Sequence, residues 1–113
     1  MHRIIRIFSV AIILLGIVHI SFAFPLHPNT DTLWFTGAGM AIIFSGLLNL
    51  LAIDRGGSVF TKTIAVIVNA LNCLMFSFAL RILNEPQVYI GIVIFLIPAM
   101  IFLFELTVKK VKK

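Results

Sequence analysis

Two histidines stand close together near the start of this hydrophobic chain, in the stretch GIVHISFAFPLHPNT. His19 lies inside an apolar run, and His27 lies between the two prolines that follow it. A polar ring in a hydrocarbon layer costs free energy unless a partner satisfies it, so an intramembrane histidine indicates a functional site by default. Because an imidazole with access to water can titrate near neutral pH, the chemistry on offer is ligand binding or proton handling.

Metal and haem chemistry have less support from the same residues. A zinc site needs three or four ligands, and beside His19 and His27 the only further candidate is Asp31. Haem in a helical bundle is usually held from two sides, and no other apolar run contains a histidine, which leaves an axial role for His19 as a minority interpretation. We predict neither a metal nor a cofactor. A structural role, in which His19 hydrogen-bonds Ser77 or a backbone carbonyl, stays open.

The composition places these histidines in a membrane protein. Hydrophobic residues make up 61% of the 113 residues and charged residues 12%, and the mean hydropathy is +1.16. This leaves too little polar surface to coat a water-soluble globule. Four apolar runs without Asp, Glu, Lys or Arg are long enough, or nearly so, to cross a hydrocarbon core of about 30 Å as helices. We predict an all-α, polytopic integral membrane protein, a four-transmembrane-helix bundle forming one domain over 1–113, with spans at 7–24, 33–53, 63–80 and 88–104.

Positive charge predicts the orientation of the bundle. Of the nine basic residues, only Arg81 lies on the predicted outer side, so the positive-inside rule places both termini and the loop after the second span in the cytoplasm. Trp34 and Tyr89 begin spans at the predicted outer interface, where amphipathic rings settle. Since topology explains the net charge of +5, we expect the lipid bilayer and no nucleic acid as partner. The short loops favour a bacterial inner membrane.

Small and polar residues recur every four positions in the second and third spans, which places them on one face of each helix. Small side chains let backbones approach, and amides form hydrogen bonds between helices. We therefore predict that spans two and three form the closest pair. The predicted packing residues are Gly37, Ala41, Ser45 and Asn49 in span two and Asn69 and Asn72 in span three. Span one offers Ser9, Gly16 and Ala23 as its small side, and span four offers Gly91, Pro98 and Glu105.

Depth along the helices, at about 1.5 Å per residue, separates the polar residues into an inner and an outer group. The inner group contains the amides and Glu105, whose carboxylate we expect near Lys109 four residues on. The outer group predicts an outward-opening ligand pocket beside His19. Its predicted ligand residues are His19, Ser77, Arg81, His27, Asp31 and Trp34.

Several short patterns in the first half of the chain suggest a family. They are the basic start HRIIRI, LLGIVH in span one, the loop FPLHPN, and WFTGAG followed by SGLLNL in span two. In these the chain resembles the DoxX-like group of small four-helix membrane proteins, and the resemblance implies the architecture rather than a mechanism. In size the chain also resembles the small multidrug resistance transporters. Those share a membrane-embedded glutamate in the first span, where this chain has His19 as its only ionisable group.

Two functions from different classes remain. We predict a non-catalytic membrane protein that either binds a small hydrophobic molecule in the outward-facing pocket or acts as an accessory subunit of a membrane complex. Its partner would then be that molecule, a second copy of the chain or another membrane protein. The alternative is a membrane enzyme or a proton-coupled small transporter that uses His19 with Arg81 or Asp31. No catalytic residue is predicted, because no nucleophile with an adjacent base is visible.

Overall fold

The computed structural model describes residues 1–54 and 57–111, the last three of them by their backbone alone. The described chain folds into four helices, each long and apolar enough to cross a membrane. They are α1 (His2–Ser21), α2 (Thr30–Ile53), α3 (Val59–Ala79) and α4 (Pro86–Val111). The all-helical prediction is confirmed in this part of the chain. Arg55, Lys112 and Lys113, which the orientation prediction counts among its basic residues, lie outside the described residues, as does Gly56.

The helices begin earlier than the apolar runs, and side-chain caps set the starts of α2 and α3. The side chain of Asn29 accepts a hydrogen bond from the Thr32 amide at 2.8 Å and so caps α2. Ser58 caps α3 in the same way, accepting from the Thr61 amide at 3.0 Å. Pro86 opens α4 at a position where its missing N–H leaves no hydrogen bond unmade.

The helices form a ring in which α1 packs mainly on α2 and α3 packs mainly on α4. The α2–α3 and α1–α4 contacts are sparser, so the bundle consists of two close-packed hairpins. The chain begins and α4 ends at one end of the bundle, where His2 meets Glu105. We call this the Glu105 end, and the opposite end, which carries the α1–α2 connection, the His27 end.

Glycines bring the backbones of α1 and α2 into contact. A Cβ atom on Gly16 would lie 2.7 Å from the carbonyl oxygen of Gly39, and one on Gly46 would lie 2.8 Å from that of Ser9. Real Cβ atoms essentially never come this close to another heavy atom, so glycine alone fits at these contacts. In a bilayer, packing of this kind has to supply the association that the hydrophobic effect supplies in water.

The prediction that spans two and three form the closest pair is wrong. The residues of α2 that approach a neighbour most closely, Gly39 and Gly46, are seven apart and face α1. A seven-residue spacing keeps one stripe against a partner over two turns, whereas a four-residue spacing drifts around the helix. Gly37 and Ala41, from the predicted four-residue stripe, are exposed as a result.

Two apolar clusters fill the interior of the bundle. The first lies toward the Glu105 end and contains Ile5, Ala52, Ile53, Ala65 and Phe102. The second lies further along the bundle and contains Ile12, Ile42, Ile94 and Phe95. All four helices contribute to the clusters, so the two hairpins share one core despite their sparser mutual contact.

Two single variants, Gly39→Ala and Gly37→Ala, separate the effect of close packing on stability from the effect of helix propensity. In Gly39→Ala the new Cβ lies 2.9 Å from the Gly16 carbonyl oxygen, whereas at Gly37 nothing lies within 4 Å. We expect Gly39→Ala to lower the free energy of unfolding by about 1–3 kcal/mol, the usual effect of overpacking. Gly37→Ala should leave it unchanged or raise it. Thermal unfolding in detergent micelles measures both, and equal effects would contradict the packing.

Candidate functional site

Buried amides join α2 to α3. Asn49 and Asn69 are fully buried and donate to each other, with nitrogen–oxygen distances of 3.1 and 2.6 Å. The Asn69 amide nitrogen also donates to the Ala65 carbonyl at 2.7 Å. Hydrogen bonds between helices are among the few attractive forces available inside a bilayer. This reciprocal pair therefore holds the two hairpins together.

A second amide lies one turn further along α3. Asn72 donates to the hydroxyl oxygen of Ser45 at 3.0 Å and to the Val68 carbonyl at 2.9 Å. Ser45 in turn donates to the Ala41 carbonyl at 2.8 Å. Both N–H groups of Asn72 are used, and no described residue donates to its carbonyl oxygen Oδ1. Asn72 therefore retains one acceptor for another partner.

Next to Asn72, α1, α2 and α3 leave a groove of about 350 Å³ between them. Alanines on α2 and α3 make the room, and the walls are almost entirely apolar. His19 and Asn72 are the polar side chains that face it. We call this the His19 groove, and its lining residues are His19, Ala38, Ala41, Ile42, Asn72, Met75, Phe76 and Ala79.

The ring of His19 is held by stacking. Its centroid lies 5.1 Å from that of Phe35, with 26° between the ring planes. The predicted hydrogen bond to Ser77 is not formed, because Ser77 is exposed and donates to the Cys73 carbonyl of its own helix at 2.8 Å. No other described residue forms a hydrogen bond with either imidazole nitrogen. Both nitrogens are thus available to a molecule in the groove.

The other predicted ligand residues lie elsewhere. Arg81, Asp31 and Trp34 are exposed and do not line the His19 groove. His27 lines a separate cleft of about 570 Å³ at the start of α2. Depth alone grouped these residues with His19, and depth does not determine the face that a side chain occupies. Of the predicted ligand residues, the structure places His19 in the groove, together with Asn72, which we predicted as a packing residue.

An ion pair at the Glu105 end is the main feature that the sequence did not reveal. Lys62 is 3% exposed and donates to Oε2 of Glu105. His2 approaches the other carboxylate oxygen, Oε1, at 3.5 Å. The expected partner Lys109 has its side chain outside the described residues. We call His2, Lys62 and Glu105 the ionic cluster.

A sequence signal for the ionic cluster does exist. Lys62 precedes Asn69 by seven residues, and Glu105 follows Pro98 by seven. Both charges therefore continue stripes of buried residues. In the sequence Lys62 stands one residue before the predicted third span and reads as a loop residue, whereas in the structure it lies on α3.

No metal site is apparent in the described part of the chain, where no three His, Cys, Asp or Glu side chains lie close enough to share an ion. No family model matches the sequence, and neither a curated protein nor a solved structure matches it. The resemblance to DoxX-like proteins stays a prediction. The function has to be argued from the geometry of this chain.

The amide pair can be tested with a double-mutant cycle on Asn49 and Asn69. Each single alanine variant leaves the other amide buried without its partner, while the double variant leaves neither. We expect the two residues to be coupled by about 1 kcal/mol, since double-mutant cycles give about 0.6 kcal/mol for one hydrogen bond between helices in a membrane and this pair forms two. Thermal unfolding in micelles gives the three values. Strictly additive effects would show that the hairpins are joined in another way.

For the ion pair of Lys62 and Glu105 we expect the single variant to be less stable than the double variant, because one buried charge without its partner destabilises the protein more than the loss of both charges. We expect Lys62→Met, which strands Glu105, to lower the free energy of unfolding by about 3–5 kcal/mol. Lys62→Met combined with Glu105→Gln should recover most of this loss. His2→Asn serves as the comparison, and its effect should be small because the His2 side chain is 51% exposed. An unchanged unfolding temperature for Lys62→Met would contradict the pairing.

Proposed function

We propose that this protein binds a small, mainly apolar molecule carrying one hydrogen-bonding group in the His19 groove. The observation behind the proposal is that two residues lining an otherwise apolar groove keep hydrogen-bonding atoms without a partner among the described residues: the imidazole nitrogens of His19 and the carbonyl oxygen of Asn72. The proposal includes a topology with both termini in the cytoplasm and the groove in the outer half of the membrane, which the distribution of basic residues supports, and a bacterial inner membrane, which the short loops favour.

The polar groups of His19 and Asn72 support ligand binding, because a polar group without a hydrogen-bond partner is energetically unfavourable in a bilayer. Polar groups away from water usually have hydrogen-bond partners, and an exception calls for an explanation. At the Glu105 end the polar groups satisfy one another, as Asn49 and Asn69 do. In the groove, a ligand would supply the hydrogen-bond partner that the protein does not provide for His19 and the Asn72 carbonyl oxygen. A volume of about 350 Å³ lies within the range of roughly 300–1,000 Å³ for small-molecule sites.

The exposed positions in the lining suggest where the ligand comes from. Ala38 and Met75 lie on α2 and α3 and are exposed on the flank of the bundle. A flank that faces lipid exchanges molecules with the bilayer rather than with water. The ligand class is therefore a lipid-soluble compound with a polar head, such as a long-chain alcohol.

A proton-coupled carrier has less support. Between the ionic cluster and His19, the interior polar side chains on α2 and α3 are Asn49, Asn69, Ser45 and Asn72. Amides and hydroxyls hydrogen-bond but do not titrate near neutral pH. They are suited to fixing helices and orienting a ligand.

A pair of ligands that differ in one hydroxyl tests the proposal. We expect native mass spectra of the protein, released from micelles containing dodecanol or dodecane, to show dodecanol retained several-fold more strongly. One additional hydrogen bond contributes about 1 kcal/mol. His19→Phe keeps the stack on Phe35 but removes the nitrogens, so it should reduce this preference. His27→Phe, at a histidine outside the groove, should not.

A blocked groove provides the second arm of this test. Ala38→Leu places a large side chain in the groove, whereas Gly37→Leu places the same side chain where nothing lies within 4 Å. We expect the first to abolish dodecanol retention and the second to preserve it. Two results would overturn the proposal: equal retention of dodecanol and dodecane by the wild type, or equal retention of dodecanol by Ala38→Leu and Gly37→Leu. Either would favour an accessory role with a protein partner.

A further inference from the structure

A second cavity lies at the Glu105 end, between the first turns of α1 and the last turn of α2. It measures about 370 Å³ and is lined by Arg6, Leu50, Leu51, Ile53 and Asp54. None of these residues lines the His19 groove. Among the described residues, its lining combines one positive group, one negative group and an apolar wall. We call it the Arg6 cavity.

The two charges in the Arg6 cavity do not neutralise each other directly. Arg6 and Asp54 are both exposed, and the described chain contains no ion pair between them within 4.0 Å. The Arg6 guanidinium is a planar fork of donors that matches the oxygens of a phosphate. Asp54 caps the C-terminus of α2, where the helix dipole adds negative potential to its carboxylate. The cavity therefore favours an anion on its α1 side and a cation on its α2 side.

We propose that the Arg6 cavity binds the headgroup of a zwitterionic phospholipid with a primary ammonium, that is, a phosphatidylethanolamine. The lipid phosphate lies on Arg6 and the ammonium donates hydrogen bonds to Asp54. The glycerol and the first carbons of the chains lie along Leu50 and Leu51. This site is independent of ligand binding in the His19 groove.

The same geometry discriminates against other lipid headgroups. A phosphatidylcholine presents a trimethylated ammonium, which carries the charge but has no N–H to donate to Asp54. A phosphatidylglycerol places its phosphate on Arg6 in the same way, but its neutral glycerol offers hydroxyls and no cation, so the charge of the Asp54 carboxylate stays uncompensated. Only the primary ammonium lipid complements both sides of the cavity.

Lipid competition with three variants tests the assignment. Protein in micelles with equal amounts of phosphatidylethanolamine, phosphatidylcholine and phosphatidylglycerol is analysed by native mass spectrometry. We expect phosphatidylethanolamine to predominate on the wild type and to bind about tenfold more weakly to Arg6→Gln and to Asp54→Asn, since each loses a charge-assisted hydrogen bond. Arg3→Gln is the matched control, because Arg3 is an exposed arginine of α1 outside the cavity lining.

Asp54→Asn distinguishes the proposal from a general attraction to anionic lipid. Removing the carboxylate should shift binding from phosphatidylethanolamine toward phosphatidylglycerol. Equal binding of the three lipids to the wild type, a preference of the wild type for phosphatidylglycerol, or an effect of Arg3→Gln as large as that of Arg6→Gln would each overturn it. Because Arg6 and Asp54 are exposed, the variants should fold, and an unchanged unfolding temperature verifies this.

Discussion

Hydrogen bonding among helices apolar enough to cross a membrane is the constraint on which this structure depends. In a bilayer, helices satisfy their own backbone groups, but a polar side chain has to find its partner within the protein. Asn49 and Asn69 solve this by facing each other across the α2–α3 contact, where each amide donates to the other. A contact that contributes little to packing is therefore fixed specifically, because displacing α3 along α2 would leave both amides unpaired.

The distribution of satisfied and unsatisfied groups divides the bundle along its axis. At the Glu105 end, Lys62 and Glu105 neutralise each other. Further along, each polar group has fewer protein partners: Asn72 keeps a carbonyl oxygen free, and His19 has only the Phe35 ring. The contact between α2 and α3 is thus held by hydrogen bonds toward the Glu105 end and leaves the His19 groove toward the His27 end. Because the paired groups hold the helices together, the fold does not need the unpaired groups of His19 and Asn72 to bond within the protein.

The sequence predicts the helices because their information is local. Apolar runs interrupted by Pro, Gly and Asn are sufficient to predict how many helices there are and roughly where in the chain each one lies. It does not predict which helices pack most closely, because Gly37 and Gly39 lie two residues apart and only the orientation of α2 determines which of them meets α1. The candidate site shows the same limit. His19 stands out by its type, whereas its neighbour in the groove, Asn72, is indistinguishable in sequence from Asn69, which has a structural role.

The segregation of close contacts into two hairpins also determines how the chain can assemble. Gly16, Gly39 and Gly46 make the close backbone contacts between α1 and α2, so this hairpin contains the tightest backbone packing between helices within itself. In an α1–α2 hairpin alone, the buried amide of Asn49 would lack the partner that Asn69 supplies. Since an unpaired amide between apolar helices favours association with another polar side chain, the Asn49–Asn69 pair also removes a contact through which two copies of this hairpin could associate.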